Sequence, residues 1–241
     1  MSTFYSYSRN IEIQLIINSY PNNNCAAQFN TGQPIQNPQD VFPSYLTHTA
    51  AVNLVQPYIH STDLAQGAGK PFIMFETNTA SCGGFPGISD TYGAALWAMD
   101  YGFQMAYANF THALMHIGGQ NVYYNVRQNH SSNDLPNQSF YFDQPFTSPP
   151  TNQSSFNEWT AGAVYYSTIV LAEAFGKTNT SRIIDLFGNA NSVYTPSYAI
   201  YENNALSKVA LFNFIDDKTG ASNSQVTITV PAGAPSTVKV K

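Results

Sequence analysis

The sequence predicts an α/β region over residues 1–178 followed by an all-β, antiparallel region over residues 179–241. As far as Phe175, strand-length apolar runs alternate with helix-spaced apolar residues, the order expected of a parallel sheet with crossover helices. From Arg182 onward helical spacing stops, and short β-rich runs are separated by turns bearing Asn, Gly or Pro. The run Phe72-Ile73-Met74-Phe75-Glu76 is continuously apolar until its last residue, as a strand buried on both faces must be.

Taken in order, Ile11–Ile17 reads as a first strand, with Glu12 and Gln14 interrupting its apolar residues, and it runs into a Pro- and Asn-rich loop that ends at Cys25. Helical spacing then covers Phe42–Ile59, and Gly67-Ala68-Gly69-Lys70-Pro71 closes that unit before the strand ending at Glu76. After a Gly-rich loop over Ser81–Ser89, the residues Tyr92, Ala95, Leu96, Met99, Phe103, Ala106, Tyr107 and Phe110 recur at helical spacing, with Ser89, Asp90 or Thr91 as cap. Ala113–Ile117 is a third strand, closed by Gly118-Gly119-Gln120, and Glu158–Phe175 is a helix. The later strands are Ile183–Phe187, Tyr198–Glu202, Val209–Ile215, Val226–Val230 and Thr237–Lys241, read as part of a β-sandwich.

Composition narrows the function. Charged residues make up 10% of the chain and aromatic residues 14%, against about 25% charged in an average soluble protein. Neutral hydrogen-bonding groups and aromatic faces suit sugar hydroxyls and C–H surfaces. The net charge of -5 offers no field for a phosphate backbone, which argues against a nucleic-acid partner. No apolar stretch reaches the roughly 18 residues of a membrane span. Cys25 and Cys82 have no Cys or His neighbour at metal-ligand spacing, so neither a metal nor a cofactor is expected. Both fall in loops after predicted parallel strands, on one rim of the sheet, where they form either a disulfide or two buried thiols. Sequons begin at Asn109, Asn129, Asn137, Asn152 and Asn179, as on a secreted glycoprotein. Residues 1–10 carry no signal-peptide pattern, so an extracellular location requires a leader outside this sequence.

Glu76 is the candidate catalytic residue, because the C-terminal end of a parallel strand is where α/β barrels project reacting side chains. Its bland alternative is a rim carboxylate paired with a nearby cation. The runs from Phe75 to Asp90, Gly93 to Ala98 and His116 to Asn125, with Tyr20 to Cys25 and Phe42 to Tyr58 upstream, resemble the fungal β-glucuronidases of glycoside hydrolase family 79. The resemblance covers nearly the whole chain, as the C-terminal half of a full enzyme.

That resemblance implies the last three βα units of a (β/α)₈ TIM barrel followed by a β-sandwich, since three units cannot close a barrel. It implies a retaining mechanism in which Glu76 is the nucleophile, and an acid/base carboxylate on an earlier strand that no residue here matches; Glu12 lacks the family's acid motif. Gly83 and Gly84 are expected to offer backbone N–H groups to a uronate carboxylate, and Tyr123 or Tyr124 a phenol. Asn78 and Gln120 are candidates for sugar hydroxyls, and His116 for a hydrogen-bonded core residue. The substrate is then a β-linked glucuronic acid, or its 4-O-methyl form, on a glycan or proteoglycan. The rival reading is a noncatalytic sugar-binding fragment. Ser19 stands where the family has His before its Tyr-Pro pair, and Val126-Arg127-Gln128 also departs from the pattern.

Overall fold

The computed structural model describes residues 15–116, 162–229 and 237–241. Strand β1 (Leu15–Asn18) leads through helix α1 (Cys25–Phe29) to α2 (Pro38–Tyr45), α3 (His48–Val55) and α4 (Ile59–Gly67), then β2 (Phe72–Thr77), α5 (Tyr92–Tyr107), β3 (His112–Met115) and α6 (Ala163–Phe175). β4 (Arg182–Asp185), β5 (Ser197–Glu202) and β6 (Ala205–Leu211) follow. The first three strands form a parallel sheet in the order β1-β2-β3, and the last three an antiparallel sheet in the order β4-β5-β6. The α/β-then-antiparallel order is therefore present in the molecule. A barrel and a sandwich are not formed by the described residues.

Several elements differ from the sequence reading. The single helical pattern over Phe42–Ile59 is divided among α2, α3 and a 3-10 turn over Gln56–Tyr58. Pro57 has no N–H to continue the α3 ladder, and Thr47 is extended, so the chain restarts at each point. α2 begins where its local chemistry says it should: Asn37 accepts from the Gln39 amide at 3.1 Å, with Pro38 at the first helical position.

The expected buried stripe of α5 is also revised. Tyr92 is 72% exposed and Tyr107 41%, whereas Ala94, Trp97, Ala98, Asp100, Tyr101 and Gln104 are buried. α5 lies against α3, α6, β4 and the parallel sheet, so nearly all of its sides are covered and a one-stripe periodicity does not apply. Thr91 stands at the cap position, and its side chain makes no bond to the helix end. The Thr91 hydroxyl donates to Ile88 O, Ser89 Oγ accepts from Phe85 N, and Asp90 Oδ1 accepts from Gly87 N, so all three shape the loop before the helix.

β6 starts at Ala205, earlier than the expected Val209, because Asn203 (φ 51°) and Asn204 (φ 64°) make a two-residue left-handed hairpin turn. Residues 226–229 and 237–241 are not strands as expected. Their apolar residues alternate but find no cover among the described residues, and Val238 is 81% and Val240 89% exposed.

Two cores result. The larger joins Phe72 and Met74 of β2 to Tyr45, Val55, Trp97, Tyr101 and Phe110, and the smaller gathers Phe103, Ala174, Tyr198 and Ile200 between α5, α6 and the antiparallel sheet. Between the helices and that sheet sits a buried polar cluster. His48 of α3 places Nδ1 3.0 Å from Asp100 Oδ2 of α5 and Nε2 3.0 Å from Asp185 Oδ2 of β4. Gln104 donates to Asp185 Oδ2 at 2.7 Å and to the Tyr198 hydroxyl at 3.1 Å, and Tyr198 donates to Asp100 Oδ1 at 2.5 Å. The cluster ties residues on both sides of the expected boundary at 178 and 179.

Candidate active site

Glu76 reaches its place through a β-bulge. β1 and β2 pair in step as Leu15 with Phe72, Ile16 with Ile73 and Ile17 with Met74, but Asn18 then pairs with Glu76, so Phe75 is an extra residue. Pairing with β3 slips over the same stretch, from Met74 opposite Ala113 to Thr77 opposite Met115. Leu15, Ile17, Phe72, Met74 and Met115 all pack into the larger core beneath the helices. Strict alternation would send Glu76 after Met74 into that core. With Phe75 inserted, Thr77 takes the helix side, where its hydroxyl lies 3.4 Å from the Tyr101 hydroxyl of α5. Glu76 falls on the opposite, open face with its side chain 40% exposed.

On that face Tyr20 donates to Glu76 Oε1 at 2.7 Å, and His116 Nδ1 lies 3.9 Å from the same oxygen. The Ser19 amide donates to Glu76 O at 3.0 Å, so the backbone of the carboxylate is held from the β1 side as well. The hydroxyl donor fixes one oxygen of the carboxylate in place, as a nucleophile requires. The cation-paired rim carboxylate foreseen as the bland alternative has no Lys or Arg partner among the described residues.

The rim behind Glu76 is a buried scaffold. Asn78, expected at sugar hydroxyls, is 2% exposed; it donates to His116 O at 2.8 Å and accepts from the Thr79 amide at 2.8 Å, so it braces the rim from beneath. Tyr45 donates to Thr79 O at 2.6 Å, and burial pushes its phenol up to about 12, which keeps the proton on the donor. The sulfurs of Cys25 and Cys82 are bonded, with their Cα atoms 5.0 Å apart, and this resolves the two alternatives for that pair.

Cys82, Gly83 and Gly84 form a left-handed run with φ of 60°, 91° and 79°. Gly84 is buried, its N–H donating to Ala80 O at 3.1 Å and its carbonyl accepting from Asn24 at 2.8 Å, so both its backbone groups serve the loop itself. Gly83 is half-buried, and among the described residues its amide and that of Cys82 donate to no protein acceptor. Of the glycosylation candidates, Asn109 and Asn179 are exposed, at left-handed positions. Gln120, Tyr123, Tyr124, Asn129, Asn137, Asn152 and Glu12 lie outside the described residues. Sequence reasoning singled out Glu76 and its loop but missed Tyr20 as the partner of Glu76, Asn24, and the His48 cluster. The signal for Tyr20 was its position immediately after a strand predicted to be parallel to β2.

The profile described as the Glycosyl hydrolase family 79 C-terminal beta domain matches residues 197–241. The chain is 26% identical over 175 residues to a β-glucuronidase of Aspergillus niger, an alignment covering 71% of this chain and 28% of that protein. It is 43% identical over 51 residues to a β-glucuronidase of Neurospora crassa, covering 21% of this chain and 9% of that one. The chain thus spans less than a third of the curated relatives it matches. Its fold is similar to a 4-O-α-L-rhamnosyl-β-D-glucuronidase from Fusarium oxysporum, solved as a complex with Rha-GlcA, with a TM-score of 0.54, 21% identity, and coverage of 83% of this chain and 34% of that one. Residues 197–241 thus match the C-terminal beta domain of glycosyl hydrolase family 79, and the longer alignment makes the chain similar to part of a fungal β-glucuronidase.

Proposed function

We propose that the chain is the C-terminal portion of a retaining glycoside hydrolase that releases β-linked glucuronic acid, or its 4-O-methyl form, from extracellular glycans or proteoglycans. The observation that carries the reading is Glu76 itself, turned by a bulge onto the open face of a parallel strand end and held there by the Tyr20 hydroxyl at 2.7 Å.

In this mechanism a Glu76 oxygen attacks the anomeric carbon while an acid carboxyl, supplied by an upstream barrel strand, protonates the departing oxygen. The resulting glycosyl ester is then hydrolysed by water that the same upstream carboxylate deprotonates, the two carboxyl groups standing roughly 5 Å apart. The sugar's own carboxylate lies against the Gly83 amide, with Gly84 maintaining the curvature of the loop and Tyr123 or Tyr124 adding a phenol; Gln120 takes a sugar hydroxyl. The disulfide and the exposed sequons at Asn109 and Asn179 support secretion. Among the described residues no helix is long and apolar enough to cross a membrane.

The test joins this chain to the proposed upstream barrel segment, taken from a longer relative, and assays a chromogenic β-glucuronide. Turnover that is lost in Glu76→Gln, with a 2-fluoro glucuronide trapped covalently on the Glu76 peptide by mass spectrometry, is the expected result. Glucuronic acid binding without turnover in the joined protein favours the noncatalytic sugar-binding reading instead. Turnover that survives Glu76→Gln refutes the assignment of the nucleophile.

A further inference from the structure

We infer that Asn24, together with the Cys25–Cys82 bond, is a positioning device that sets the uronate-facing amides of the rim loop and so determines preference for a uronic acid over the neutral sugar. The inference rests on the proposed uronate site and adds residues to which no role in it is assigned.

Asn24 is buried at 7% exposure and grips the loop at two points. Its backbone N–H donates to Ser81 O at 2.9 Å, and its side-chain amide donates to Gly84 O at 2.8 Å. In a trans peptide the C=O and the following N–H point in opposite directions. Fixing Ser81 O toward Asn24 therefore turns the Cys82 N–H away from the 22–24 segment. Fixing Gly84 O fixes the peptide that follows, whose Phe85 N–H is already committed to Ser89 Oγ at 2.8 Å. The peptide between Gly83 and Gly84 is set by the bond from Gly84 N to Ala80 O. Asn24 thus holds the peptide that carries the Cys82 amide and the peptide after Gly84, on either side of the one that carries the Gly83 amide.

The run needs holding. Three successive residues at φ of 60°, 91° and 79° include a cysteine, for which the left-handed conformation is unfavourable, and glycine brings no side chain to anchor the other two. The covalent anchor is on Cys82, bonded to the residue that follows Asn24. Consecutive backbone N–H groups in such a concavity bind an anion without a cation beside them. Their usefulness depends on orientation: rotating one peptide plane replaces a donor with a carbonyl that repels the carboxylate. A neutral sugar, which presents a hydroxymethyl group there, is far less sensitive to that rotation.

The experiment compares kcat/KM on 4-nitrophenyl β-D-glucuronide and 4-nitrophenyl β-D-glucoside for the barrel-joined protein, as wild type, as Asn24→Ala, and as wild type with the disulfide reduced. The expected result is a fall of about tenfold or more in the glucuronide-to-glucoside ratio on both perturbations, with the glucoside value changing much less. An unchanged ratio, or equal losses on both substrates, overturns the inference while leaving the proposed reaction standing. A wild type with no preference for the glucuronide and no chemical-shift response to glucuronic acid overturns the uronate site and this inference together. Should Asn24→Ala fail to fold, the reduced wild-type protein decides the matter by the same ratio.

Discussion

Replacing His48 by Gln isolates the charge at the centre of the buried cluster. Although burial works against the imidazolium, bonds and attraction to Asp100 and Asp185 outweigh it, and the His48 pKa is raised to about 9 from 6.5. A raised pKa stabilises the folded state fully below the unfolded value, near 6.5, and that contribution is lost as pH rises through about 9. The difference corresponds to about 3 kcal/mol at the acid end of the window. The groups facing His48 are Asp100, Asp185, Gln104 and Tyr198. Burial and Asp100 push the Tyr198 phenol far up, so it keeps its proton; burial raises Asp100, and the bond to His48 is the main favourable influence holding Asp185 low against its own burial. Urea unfolding of wild type and His48→Gln between pH 6 and 10, with the His48 ring followed by NMR, is the measurement. The wild-type-minus-variant stability should shrink by about 3 kcal/mol across that range, and the ring should titrate well above a free histidine. Titration at or below the ordinary value, or an alkaline loss of equal size in the variant, refutes the argument.

Two further changes probe the parallel sheet. Met74→Ala removes a fully buried side chain from the centre of the larger core and should cost about 2–5 kcal/mol in the same urea assay. Deleting Phe75 should bring β2 into step with β1 while leaving Met74 opposite Ile17 and Glu76 opposite Asn18, so Glu76 should stay on the open face and Glu76-dependent turnover should be retained, as in Phe75→Ala; loss of turnover on the deletion refutes the register argument.

What could be read from the sequence was whatever depends on neighbours along the chain. The apolar run ending at Glu76 identified both a parallel strand and the residue at its end, and the Gly-rich segment after it identified a loop. The hairpin at Asn203 and Asn204 came out shifted because two consecutive Asn residues were read only as a boundary, not as a left-handed two-residue turn. The α5 stripe failed because one-sided periodicity presumes one wet face, and this helix is packed on nearly all sides. His48, Asp100, Gln104, Asp185 and Tyr198 are separated by up to 150 positions, and no local pattern marks them as partners. Each alone reads as an unremarkable polar residue.

The bulge at Phe75 is the step at which local pattern and function part. An uninterrupted apolar run is compatible with either side-chain phase, since both faces of such a strand accept apolar residues. The carboxylate is not indifferent: in one phase it is buried, unpaired, against Met74 and Tyr101, at a cost of several kcal/mol, and in the other it meets a tyrosine hydroxyl and solvent. Register with β1 and β3 decides between them, because Asn18 must pair with Glu76 for the Ser19 amide to reach Glu76 O, and Thr77 must sit on the helix side for its hydroxyl to meet Tyr101. The expense of burying one charge thus selects the strand irregularity, and the irregularity in turn aims the residue on which the proposed chemistry depends.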